Sequence, residues 1–190
     1  LDILSGTGAV TITGDIGGGD ALTSLDINAT GSSTGSGNIN ILGNIGADGT
    51  SGAGIVNIGN SNTGTITLGT SGTESEYFTT GAQTYDAATY SLVGTDPDFN
   101  ASSENIKFLD GASGITLATG SDLTVDTDLN EDGNINIEGA IGSTSGQTTT
   151  VNLEAGSGTV SVAGIATGIG NVTLDGSGAV SYTHLTLPTT

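Results

Sequence analysis

The 190-residue chain has no cysteine, tryptophan or methionine, and aromatic residues make up only 4% of it. Without cysteine there is no disulfide framework to hold the fold. With so few large side chains, an ordinary compact globule would bury too little apolar surface to offset its chain entropy. Basic residues are almost missing: Lys107 stands alone against 20 Asp and Glu, a formal charge of −19. Nucleic-acid binding needs Lys and Arg to neutralise phosphates, so it is excluded. Attraction to anionic membrane surfaces is excluded by the same count. No run approaches the roughly eighteen apolar residues of a membrane-spanning helix, so no membrane insertion by this segment is expected.

What the chain does have is glycine, 34 residues of it, and short runs in which Ile, Val, Leu and Ala alternate with Thr, Ser, Asn and Asp. A period of two is the mark of a strand with one face buried. The runs repeat. GTGAVTITGDIGG (6–18) returns as GSGNINILGNIGA (35–47) and DGNINIEGAIG (132–142), with shorter echoes at 62–70, 156–164 and 176–181. Second strands lie between them, such as LTSLDINA (22–29), GIVNIG (54–59), LTVDTDL (123–129), TVNLEAG (150–156) and NVTLDG (171–176). Units of this size cannot bury their own apolar face and must stack on neighbours. The pattern predicts an all-β chain, a right-handed parallel β-helix (β-solenoid) of seven or eight rungs. Antiparallel β-sandwich repeats are the alternative.

The expected organisation is solenoid repeats over 1–72, an irregular aromatic-containing rung or loop over 73–119, and solenoid repeats again over 120–180. Residues 73–110 hold six of the seven aromatics, together with Lys107 and Pro97. This stretch is read either as a protrusion that contacts a ligand or as a bulkier rung, with Tyr85, Tyr90, Phe99 and Phe108 filling a wider core. The Asp-Pro-Asp at 96–98 suggests a turn within it.

The runs VTITGDIGGGDALTSLDI and TTGAQTYDAATYSL resemble the β-strand repeats of filamentous-haemagglutinin-like and autotransporter-type bacterial adhesins, with Gly8 to Ile27 and Thr79 to Tyr85 carrying the likeness. That resemblance implies a secreted or cell-surface segment of a much longer bacterial exoprotein, associated with the outer membrane. Residues 120–139 depart from the repeat, since Asp, Asn and Glu replace its Thr and Gly. The last ten residues, SYTHLTLPTT (181–190), break the repeat character and resemble a translated sequencing adapter. They are read as a non-native or disordered tail, and His184 within them is assigned no function.

One stretch carries candidate chemistry. In VDTDLNEDGNINIEG (125–139), Asp128, Asn130, Asp132, Gly133 and Ile135 fall at the spacing of the first positions of a calcium-binding loop. There, alternate oxygen-bearing side chains converge on a hard cation while glycine allows the sharp turn. Asn134 would offer its backbone carbonyl, Asn136 an oxygen, and Asp126 a further ligand from the preceding strand. The bidentate Glu of such a loop is missing, because Gly139 stands in its place. The alternative is an Asx-rich turn, with Asp and Asn capping backbone amides. The candidate metal ligands are therefore Asp126, Asp128, Asn130, Asp132, Asn134 and Asn136, with Ca²⁺ as the ion.

No catalytic residue is expected. A Ser-His-Asp triad has no suitable His, there is no Cys nucleophile, and the acidic pairs sit beside solvated turns. Ice binding would need Thr in nearly every rung, whereas the outward positions mix Asn and Thr. The function expected is structural and adhesive: a stalk or passenger with multivalent surface contacts. Its partners would be surface glycans or proteins, or further copies of itself.

Overall fold

The computed structural model describes residues 1–29, 35–46, 52–102, 104–129, 132–144, 149–166 and 168–182. Among them there are eighteen strands and no helix. The first six are β1 (Asp2–Ile3), β2 (Val10–Ile12), β3 (Ser24–Ile27), β4 (Ile39–Ile41), β5 (Ile55–Gly59) and β6 (Thr65–Leu68). The aromatic-containing segment supplies β7 (Glu74–Thr79), β8 (Gln83–Asp86), β9 (Thr89–Leu92), β10 (Thr95–Ala101), β11 (Ile106–Leu109) and β12 (Ile115–Leu117). The remainder are β13 (Leu123–Asp126), β14 (Ile135–Ser143), β15 (Thr149–Glu154), β16 (Val160–Ile165), β17 (Ile169–Asp175) and β18 (Val180–Tyr182).

The strands wind as a parallel β-solenoid with three faces. The first face stacks β1, β3, β5, β8, β11, the start of β14, the start of β16, and β18. The second stacks β2, β4, β6, β9, β12 and the later halves of β14 and β16. The third begins with single bridges from Ile16 to Ile45 and from Ile45 to Tyr77, then runs through β7, β10, β13, β15 and β17. Every pairing among the described residues is parallel, which excludes the antiparallel sandwich. With eight strands stacked on the first face, the solenoid is a rod of roughly 35 Å at the usual spacing between neighbouring strands.

The core is a set of columns, one residue per turn. On the second face Val10, Ile39, Ile66, Tyr90, Ile115 and Ile141 stack in register, each of them buried. The aromatic segment follows the same three faces, and its rings fill the middle of the rod. Tyr77 stacks on Phe99 at 4.6 Å between ring centres and Tyr85 on Phe108 at 4.9 Å. Phe108 also meets Phe99 and Tyr90 edge-on. All five rings are fully buried. Pro97 lies inside β10 at a bulge in its pairing with β7, with Asp96 at φ 47°. The expected Asp-Pro-Asp turn is therefore a kink within a strand, where the missing proline N–H interrupts the ladder only locally.

One polar side chain enters the aromatic core. Gln83 is fully buried and donates to the carbonyls of Tyr77 and Asn100, both at 2.8 Å, while its Oε1 accepts from the Tyr85 hydroxyl at 2.9 Å. With those bonds made, burying the amide avoids the cost of an unsatisfied polar group. Corners are held in the same way. Asn28, at φ 52°, accepts the Ser5 N–H through its side chain. Asn60, one turn on, donates its side-chain amide to the Asn28 carbonyl at 2.7 Å. Ser181 and Tyr182, expected to open the tail, pair with Ser161 and Val162 in β18. The rest of the tail, 183–190, lies outside the described residues.

Candidate functional site

The outward side of the third face carries a concentration of carboxylates, because residues at alternate positions of successive strands stack there. Glu76 is in register with Asp98, and Asp98 with Thr124. A second column runs Asn100, Asp126, Glu154, Asp175. Acidic residues directly opposite one another in a ladder repel. The chain's single basic residue lies elsewhere: Lys107 pairs with Thr84 and Asn136 on the first face.

At the edge of this face Asp126, Asp128 and Glu154 converge, and a carboxylate oxygen from each lies within 4.8 Å of the others. Asp126 ends β13 and Glu154 ends β15, so stacking of two turns brings them side by side. Asp128 follows two residues after Asp126 and donates its backbone N–H to the Asp126 Oδ1 at 2.8 Å. Burial raises the Asp126 carboxyl to about 6, and the charges of Asp128 and Glu154 add to the rise. Glu154 accepts a hydrogen bond on Oε1 from the Asn152 amide. Three carboxylates so placed make a hard, anionic donor set of the kind that suits a divalent cation completed by water or backbone oxygens.

The other residues expected to share this site are distributed as follows. Asp132 packs beside Gly156, which Asp128 also borders, and accepts a hydrogen bond from Ser157. Hydrogen bonds from the Ser157 side chain and backbone hold its carboxyl below the usual carboxylate range. Asn134 and Asn136 belong to the first-face ladder. The Asn134 carbonyl, which a calcium loop would turn on the ion, accepts the Ile106 N–H at 3.0 Å. Its side-chain oxygen accepts the Thr159 N–H at 2.8 Å, and its side-chain amide donates to Asn105. Asn136 donates to Glu138 at 3.4 Å. Asn130 lies outside the described residues. Glu154 had no part in the sequence-based site, because it is 28 positions from Asp126 in the chain. Its signal was the alignment of LTVDTD with VNLEAG as consecutive turns, which sets Val125 on Leu153 and Asp126 on Glu154.

Further along the same face an open pocket of about 630 Å³ is lined by Asn44, Glu74, Ser75, Glu76, Asp96 and Asp98. Burial raises the Asp98 carboxyl, a hydrogen bond with Asn100 opposes this, and Glu154 adds to the rise. A third acidic group sits where the first face turns into the second. Asp110 donates its N–H to Glu138 at 3.0 Å, and burial followed by the charges of Asp110 and Glu138 raises Asp86. Comparison with known proteins yields no matching family model, no matching curated protein and no matching solved structure.

Proposed function

We propose that the chain is a structural and adhesive segment of a large secreted or cell-surface bacterial exoprotein, a stalk or passenger without catalytic activity. The observation that supports this most directly is the continuity of the rod. The same inward columns of aliphatic and aromatic residues run through consecutive turns, tied by parallel backbone ladders. Such a rod resists bending and pulling because every turn must break its ladder to yield. Weak contacts repeated at each turn add through multivalency, and surface glycans, surface proteins or further copies of the chain are the partners such a rod would take. The adhesin-like repeats at Gly8 to Ile27 and Thr79 to Tyr85 support the same reading.

The test compares the free chain with beads bearing many copies, on arrays of glycans and extracellular proteins. The expected result is retention of the beads and negligible binding by the single chain. Turnover of a polysaccharide, or tight binding of one small ligand by the free chain, would overturn the proposal.

A second reading is a calcium-stabilised adhesion module, favoured by the convergence of Asp126, Asp128 and Glu154. On this reading the melting temperature rises in calcium relative to chelator, and Glu154→Gln or Asp128→Asn removes the rise. An equal midpoint in both buffers rejects it. A rise that survives Glu154→Gln and disappears in Asp132→Ala would return the ion to the loop at 128–136.

A further inference from the structure

No further inference is drawn: the strongest candidate, the open acidic pocket on the third face lined by Glu74, Glu76, Asp96 and Asp98, is a carboxylate cluster whose buried oxygen without a hydrogen-bond partner belongs to a part-exposed Asp98, so nothing independent there points to a ligand.

Discussion

Asp126 is the residue at which this fold pays most visibly for its surface charge. Its side chain is 9% exposed and lies beside two other carboxylates. In the unfolded chain the same carboxyl titrates near 3.8, whereas in the folded chain it titrates near 6. Between those values the folded state holds the extra proton, so stability falls as pH rises through the window and stays reduced above it. Asp126→Asn keeps an oxygen to accept the Asp128 N–H and removes the charge. The variant is expected to melt a few degrees higher than the parent at pH 7 and to show a flatter dependence of melting temperature between pH 4 and pH 6. Melting curves followed by circular dichroism across that range check it, and an unchanged pH profile would show that the repulsion is relieved elsewhere. At the same scale, Gly158 shows how tightly the turns stack: a Cβ there would overlap the carbonyl oxygen of Gly133. Small residues at such corners are a steric requirement.

At the scale of elements, the middle turns differ from their neighbours in what fills them. The strands β8, β9, β10 and β11 put Tyr85, Tyr90, Phe99 and Phe108 where other turns have Ile, Val and Leu. Phe108 is at the centre, touching Tyr85, Tyr90 and Phe99. Phe108→Ala leaves a cavity bounded by three rings that are themselves held by ladder strands and collapse poorly into it. The expected cost is about 3–5 kcal/mol, measured by urea unfolding. Loss of near-ultraviolet tyrosine dichroism should accompany it, because Tyr85 and Tyr90 lose their fixed surroundings. Aromatic enrichment of this segment was plain in the sequence, which left a protrusion and a thicker core as alternatives; the burial of the rings decides for the core. The bulge at Pro97 was less so, since an Asp-Pro-Asp string serves a turn and a kinked strand equally well.

For the whole molecule the dominant quantity is the charge of −19. A rod whose third face stacks Asp126, Glu154 and Asp175 in register gains by screening. Raising sodium chloride from about 10 mM to about 0.5 M shortens the Debye length from roughly 30 Å to a few ångströms. The melting temperature is expected to rise over that range, in the sense opposite to a fold that depends on surface ion pairs. Calorimetry at fixed pH measures it, and a fall with added salt would show that favourable charge contacts outweigh the repulsion.

The period-two alternation and the glycine and asparagine corners together determined a polar-faced β architecture with an apolar interior. They required no knowledge of which strand lies on which. That was decided by the tertiary structure. The two NINI strings at 38–41 and 134–137 are identical, yet the first contributes β4 on the second face and the second opens β14 on the first face. The backbone ladder between turns accepts almost any residue but proline, and an interior column asks only for an apolar residue of suitable size, so identical strings fit different faces. Turn length sets the assignment, and it varies from 20 residues between Ser161 and Ser181 to 32 between Ile45 and Tyr77. The same winding placed Glu154 beside Asp126 and drew Asn134 into a strand ladder. Local spacing along 126–136 could mark that stretch as acidic, whereas only the stacking of turns could choose its neighbours.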